Sequence, residues 1–124
     1  MTTAELVKRM EAMGWKMPRH LWINAYGTLG VQQTEDVGRL SCPIDDKPFR
    51  DLLAADFERW LIGKKISVYY SCKVDNSWWV RVGTIDSVND DKLTALITSA
   101  EAALGKDHRW KRSASICRRM QSSL

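Results

Sequence analysis

The sequence has few cysteines, and it has no long hydrophobic run. Its three cysteines, Cys42, Cys72 and Cys117, are an odd number and lie far apart, which argues against a disulfide framework. No window approaches the roughly 18 uninterrupted apolar residues of a membrane-spanning helix. The N-terminus lacks the basic region and apolar run of a secretory signal. We therefore expect a cytoplasmic protein, or one that a virus makes inside its host cell.

The side chains that carry most enzymatic chemistry are also sparse. There is no Cys-x-x-Cys pair, and His20 and His108 stand far apart, so the sequence predicts no metal site. The glycines do not have the spacing of a phosphate-binding loop. The acids Asp86, Asp90 and Asp91 faintly resemble a metal-dependent nuclease, but we place them in a link and a first helical turn, where acids stabilise the helix dipole. We predict a non-catalytic protein without a cofactor.

The charge of the chain is unevenly distributed. The whole sequence has 19 Lys and Arg against 15 Asp and Glu, a net charge of +4. Residues 106–124 hold six bases and one acid, or +5, which leaves 13 bases and 14 acids, or −1, for residues 1–105. We interpret this asymmetry as a single domain over residues 1–105 that carries a basic C-terminal arm over residues 106–124.

The basic arm has the spacing of an amphipathic helix. A basic amphipathic segment docks on its own domain, a partner groove, nucleic acid or an anionic membrane. The residues that would line its apolar side are Trp110, Ala114, Cys117, Met120 and Leu124. The alternative is a frayed and solvated chain end. The candidate binding residues of the arm are Arg109, Trp110, Lys111, Arg112, Arg118 and Arg119.

Three helices are predicted from their caps and from apolar residues spaced i, i+3 and i+4. Thr2 and Glu5 form a capping box at the start of the first helix. The second helix has Asp46 as its N-cap and Pro48 in its first turn. A glycine ends each helix. The predicted helices occupy residues 2–14 and 46–63, and a span from near residue 90 to residue 105.

Two pairs of antiparallel strands are predicted between the helices. The first pair is Leu21–Tyr26 with Val31–Thr34, and the second is a hairpin over Ile66–Ile85. After the first pair, residues 35–38 are polar, and Cys42-Pro43 is predicted to break any regular element. The fold class is therefore α+β, with hairpins packed by three helices in the order α-β-β-α-β-β-α and followed by the basic segment.

The adjacent residues Trp78 and Trp79 determine how the second hairpin faces the core. Successive strand side chains point to opposite sides, so only one of the two rings enters the core. A three-residue loop at Asp75–Ser77 keeps one side of the hairpin apolar throughout. A two-residue loop would place Arg81 on the apolar side, at a cost of several kcal/mol. We therefore predict Trp78 inside and Trp79 outside.

The outward side of this hairpin carries four candidate partner-binding residues, Tyr69, Lys73, Trp79 and Arg81. Aromatic rings beside bases stack on single-stranded nucleic acid and neutralise it. The same composition is typical of protein–protein hot spots. A third interpretation is that residues 15–34 cover this side. We take a protein as the expected partner, and nucleic acid bound by this side together with the basic arm as the alternative.

The run SWWVRVGTIDSVNDDKLTALITSAEAALG, residues 77–105, resembles small phage-encoded proteins of the ABA-sandwich type. Those proteins also end in a tryptophan-bearing strand, a short polar link and an alanine-rich helix that closes on Leu-Gly. The resemblance implies a phage or mobile-element accessory protein, and it carries no active-site residues. Together with the aromatic and basic hairpin side, it leads us to expect an inhibitor or adaptor that occupies a surface of a larger host protein.

Overall fold

The computed structural model describes the backbone of residues 2–117 and the side chains of residues 2–105. Three helices and two three-stranded antiparallel sheets follow one another in the order α-β-β-β-α-β-β-β-α. The predicted α+β class is confirmed, and each predicted strand pair gains a third strand. The helices are α1 (Thr3–Ala12), α2 (Lys47–Gly63) and α3 (Lys92–Cys117). The first sheet contains β1 (Leu21–Ile23), β2 (Leu29–Thr34) and β3 (Gly38–Pro43), and the second contains β4 (Val68–Cys72), β5 (Trp78–Val82) and β6 (Ile85–Asn89).

All three helices begin at the same end of the molecule and run in parallel. Arg50, in the first turn of α2, donates hydrogen bonds to Thr3 Oγ1 (2.7 Å) and to the carboxylate of Asp91, which lie at the starts of α1 and α3. Farther along, Arg9 of α1 pairs with Glu101 of α3. Parallel helices follow from the strand count, because three strands between two helices return the chain to the end where the first helix began.

The first sheet packs on α2 through Gly30. This residue lies in the middle strand β2, and a Cβ atom built there would be 2.3 Å from the ring of Phe49. Gly27, in the loop between β1 and β2, has a different role from Gly30. Only Gly27 has the positive φ of a turn residue (+71°), whereas Gly30 provides room for a buried ring.

The prediction that Cys42-Pro43 breaks any regular element is wrong, because both residues belong to strand β3 (Gly38–Pro43) at the edge of the first sheet. Gly38 has φ +80° and closes the turn from β2, in which Thr34 Oγ1 accepts a hydrogen bond from the Val37 amide (3.2 Å). Pro43 is the last residue of the strand. An edge position tolerates proline, since its missing N–H takes no bond away from a neighbouring strand.

The second sheet has Trp78 directly opposite Cys72, so the β4–β5 loop has five residues, Lys73–Ser77, and not the predicted three. The predicted register is therefore wrong by two residues. A shift of two keeps every side chain on its predicted side. The prediction that Trp78 faces inward is confirmed: its ring packs against the core, and Trp79 lies on the opposite side of the strand.

Helix α3 does not end at Gly105 as predicted but continues to Cys117. A glycine inside a helix costs only about 1 kcal/mol relative to alanine, so it is a weak stop signal. The predicted domain and the predicted arm are thus joined by one continuous helix. The side chains of Arg109, Trp110, Lys111 and Arg112, and the whole of Arg118 and Arg119, lie outside the described residues.

The core is one continuous cluster of buried side chains to which all three helices and both sheets contribute. Ser99 is buried on α3 and donates to the carbonyl oxygen of Val80 (3.0 Å), which fixes the helix on the inner side of the second sheet. The largest buried side chains are Trp15, Phe49, Phe57, Leu6, Met10 and Leu53.

Candidate interaction surface

Three of the four predicted partner-binding residues lie together on the side of the second sheet that faces away from α3. Tyr69 is directly opposite Arg81, and Trp79 is opposite Ser71. Tyr69 is 59% exposed, Arg81 is exposed and Trp79 is half-buried. The fourth residue, Lys73, lies in the β4–β5 loop beyond the end of β4. The sheet therefore brings together the aromatic and basic pair that the sequence predicted.

Strand β6 adds two residues that the sequence analysis missed. Val88 lies opposite Trp79, and Asp86 lies opposite Arg81, with Asp86 Oδ1 3.4 Å from Arg81 Nε. The signal that could have identified the strand is the two-residue Gly83-Thr84 turn, in which Gly83 has φ +62°. We define the outer face as Tyr69, Ser71, Trp79, Arg81, Asp86 and Val88.

No other layer covers the outer face within the part of the chain that the structure describes. Tyr69 and Val88, on the two flanking strands, are 59% and 50% exposed. The interpretation that residues 15–34 cover this side is therefore wrong, because the first sheet packs on Phe49 of α2 instead. The outer face has two aromatic rings and an aliphatic side chain at the surface, and no helix among the described residues lies over them.

The outer face carries no net charge. Asp86 sits across the strand from Arg81 and balances the only base of the six residues. An exposed ion pair of this kind contributes about 0–1 kcal/mol to folding stability. Its main effect is on which ligands the face attracts, because a molecule that binds beside the Arg81 guanidinium also contacts the Asp86 carboxylate.

The inner side of the same hairpin is held by stacked aromatic and cationic groups. The rings of Tyr70 and Trp78 meet edge to face at 6.5 Å, and Lys92 Nζ lies 4.3 Å from the first ring centroid and 5.2 Å from the second. Burial, with a smaller effect of Glu58, raises the pKa of the Tyr70 phenol above its ordinary value, so it stays neutral. These contacts anchor the strands that carry the outer face.

The β4–β5 loop is held by its own side chains. Asp75 Oδ1 accepts hydrogen bonds from the Ser77 amide (3.1 Å) and from Ser77 Oγ (2.6 Å), and these bonds lower the pKa of Asp75. Asn76 adopts a left-handed conformation with φ +67°, which asparagine tolerates. These contacts fix the backbone conformation of the loop next to the outer face.

The first sheet also carries an aromatic and basic pair on its outward side, but the two residues of that pair contact each other. The guanidinium of Arg39, on β3, lies 5.4 Å from the ring centroid of Trp22, on β1. Arg39 therefore reaches across the middle strand, where Val31 is only 9% exposed. The sequence analysis missed this pair because it did not predict β3.

A cavity of about 300 Å³ lies at the end where the helices begin, next to Trp78. Five of its seven charged groups bond to one another or to the backbone: Lys47 to Asp51, Arg50 to Asp91, and Asp45 to the amide of Thr3. These groups hold the helix starts together. Among residues 2–105, no group of three or more His, Cys, Asp or Glu is arranged to hold a metal ion.

Comparison of the chain with protein-family models, with curated proteins and with solved structures found no match. The resemblance of residues 77–105 to phage-encoded proteins therefore stays a prediction. None of the helices in the described part of the chain combines the length and the apolar character needed to cross a bilayer.

Proposed function

We propose that the protein is a non-catalytic binding protein that uses the outer face to occupy a surface of a larger protein, as an inhibitor or adaptor. The observation that carries this proposal is an uncovered sheet face that presents Tyr69, Trp79 and Val88 beside the Arg81–Asp86 pair. Tyrosine, tryptophan and arginine are the residues most enriched at the energetic centres of protein interfaces.

The charge of the outer face favours a protein over nucleic acid as the partner. A phosphate group at Arg81 would also lie near the carboxylate of Asp86, so the outer face exerts no net electrostatic attraction on a phosphate backbone. A protein surface supplies both charges and can pair with each group while its apolar side chains cover Trp79 and Val88. The alternative, in which nucleic acid binds this side together with the basic arm, is therefore less well supported.

The fixed backbone of the outer face also supports a binding role. Its residues lie on three paired strands, and the anchored residues Tyr70 and Trp78 hold those strands from behind. A preorganised surface loses little conformational entropy when it binds. The resemblance to phage-encoded proteins extends the proposal to a host protein in the cytoplasm as the partner.

Replacing Trp79 and Arg81 together by alanine should abolish capture of the partner and shift the melting temperature by no more than about 2 °C, since neither residue has a core role. The measurement is affinity capture from nuclease-treated lysate of cells in which the protein occurs, quantified by mass spectrometry for the proteins that the unmodified chain retains. Thermal melting of both proteins accompanies it.

The matched control is Trp22→Ala with Arg39→Ala, which removes the same residue types from the outward side of the first sheet. We expect this control, if folded, to capture the partner as the unmodified chain does. Unchanged capture by the Trp79 and Arg81 variant would contradict the proposal. Loss of capture after nuclease treatment of the unmodified chain would support the nucleic-acid alternative.

A further inference from the structure

Strand β6 is an edge strand, and part of its backbone has no hydrogen-bonding partner. The amide of Gly83 donates to the carbonyl oxygen of Ser67 (2.9 Å), so the odd-numbered residues of β5 bond to β4 and the even-numbered residues bond to β6. The residues of β6 opposite those even-numbered residues are Ile85, Ser87 and Asn89. The N–H and C=O groups of Asp86 and Val88 therefore point to the open side, where no strand of the described chain pairs with them.

The usual features that keep an edge strand from pairing are missing from β6. Strand β1 has only three residues, and β3 ends in Pro43, which has no N–H. Strand β4 is open too, but α2, the helix packed beside it, exposes charged residues such as Asp51 and Arg59. Strand β6 has no lysine, proline or bulge, and its one charged residue, Asp86, is paired with Arg81 inside the sheet. It is therefore the edge best suited to accept another strand.

The side of α3 next to this open edge consists of small, uncharged residues. Ser99 Oγ donates to the carbonyl oxygen of Val80 on β5 (3.0 Å), and Ser87 Oγ of β6 donates to the carbonyl oxygen of Ala95 (2.6 Å). Going around the helix from Ser99 past Ala95 leads to the residues beside the open edge, because successive residues are rotated by about 100°. These residues are Ala102, Thr98, Gly105 and Thr94, of which the first three are exposed and the last is half-buried.

We propose that the protein forms a two-fold symmetric dimer in which the β6 strands of two copies pair antiparallel and their α3 helices pack against each other. The two second sheets then join into one six-stranded sheet. The dimer does not depend on the function proposed for the outer face. It places two outer faces side by side on the same side of the joined sheet.

Charge selects the register of the two strands. A two-fold axis at Asp86 would set the Asp86 carboxylates of the two copies directly opposite each other. An axis at Val88 would set Asp86 opposite Asp90 of the other copy. Like charges in these positions destabilise a strand pair. An axis at Ser87 instead sets Asp86 of each copy opposite Val88 of the other, and it pairs all of the open N–H and C=O groups.

A second copy covers the strand and the helix at the same time. Paired strands lie about 4.8 Å apart. Because α3 packs over both β5 and β6, the two α3 axes come about 10 Å apart, which is within the range for packed helices. Small side chains such as Thr98 and Ala102 permit that approach. The strand of an unrelated partner would pair with β6 but would leave this side of α3 uncovered.

The test is sedimentation equilibrium of the full chain at a series of protein concentrations. We expect the average mass to rise from the monomer mass of 14.2 kDa towards twice that value. Val88→Pro removes an open N–H without taking a bond from β5. It should raise the dissociation constant at least about tenfold, because two-fold symmetry removes two hydrogen bonds. Thr98→Arg should act in the same direction, because it places bulk and charge between the helices.

The matched controls are Ser41→Pro on the edge strand β3, where the N–H also points away from the sheet, and Ala55→Arg at an exposed position of α2. Both should leave the dissociation constant unchanged. A chain that keeps the monomer mass at every concentration would overturn the proposal. A dimer that Val88→Pro and Thr98→Arg do not weaken, or that the controls weaken equally, would also overturn it.

A disulfide trap tests the register. Ser87→Cys should give a disulfide-linked dimer on mild oxidation, because the Cα atoms of directly opposite, non-hydrogen-bonded residues lie about 4.5 Å apart. The control is Ser71→Cys, at an exposed position of β4. Both variants are made in a chain whose native cysteines, Cys42, Cys72 and Cys117, are replaced by serine. No linked dimer from position 87, or equal linking from both positions, would contradict the proposed pairing. These experiments use the purified chain alone, so their outcome is independent of the capture experiment on the outer face.

Discussion

Gly30→Ala should lower the free energy of unfolding by about 3 kcal/mol, the upper part of the usual range for an overpacked core. The new Cβ would lie 2.3 Å from two ring atoms of Phe49, and that ring is itself buried in the core. Backbone strain is not the cause, because Gly30 does not have a positive φ. Urea denaturation followed by tryptophan fluorescence measures the loss.

Two further variants show whether the clash with Phe49 causes that loss. Phe49→Leu in the Gly30→Ala background shortens the side chain that clashes and should restore part of the stability, although it is a destabilising change in the unmodified chain. Gly63→Ala adds a Cβ that meets nothing within 4 Å at the end of α2, so it should be neutral or slightly stabilising. A Gly30→Ala protein as stable as the unmodified chain would mean that the first sheet does not pack on α2 as described.

Phe57→Ala should cost about 3–5 kcal/mol, as expected for deletion of a fully buried aromatic ring. Phe57 is 0% exposed and contacts two other rings, with Trp15 edge to face at 6.3 Å and Trp60 stacked at 5.4 Å. The cavity removes a contact from both tryptophans. The same denaturation experiment should therefore also show a changed tryptophan emission in the folded state.

The control for Phe57 is Tyr26→Ala, which deletes an aromatic ring that is 88% exposed in the β1–β2 loop. We expect a change of no more than about 0.5 kcal/mol. Equal losses in the two variants would contradict the assignment of Phe57 to the centre of the core.

The side on which each hairpin residue lies was predictable from the sequence, and the strand register was not. Burial distinguishes only the two alternating sides of a strand, so it separated Trp78 from Trp79 correctly. It cannot separate a three-residue loop from a five-residue loop, because both give the same alternation. The hydrogen bonds of Asp75 to Ser77 and the left-handed Asn76 form the longer loop, and these depend on local turn chemistry.

The two missed strands are both edge strands, and edge strands give weak sequence signals. Strand β3 is mostly exposed and ends in Pro43, so it lacks the apolar alternation of a half-buried strand. Strand β6 is followed at once by the polar residues before α3, which masked its alternation. Because β6 was missed, the sequence analysis did not place Asp86 opposite Arg81. It therefore gave nucleic acid more weight as a partner than the balanced charges of the outer face support.

Site-specific photo-crosslinking at the outer face tests the proposed binding role most directly. Ser71 is exposed on the flanking strand β4 of that face, opposite Trp79, and benzoylphenylalanine can replace it without entering the core. The same replacement at Ala55, an exposed position on α2, is the control. We predict a discrete, nuclease-resistant protein adduct from position 71 and none from position 55, when each protein is irradiated in lysate of cells in which it occurs. Equal adducts from both positions, or an adduct from neither, would contradict the proposal that the outer face binds a protein.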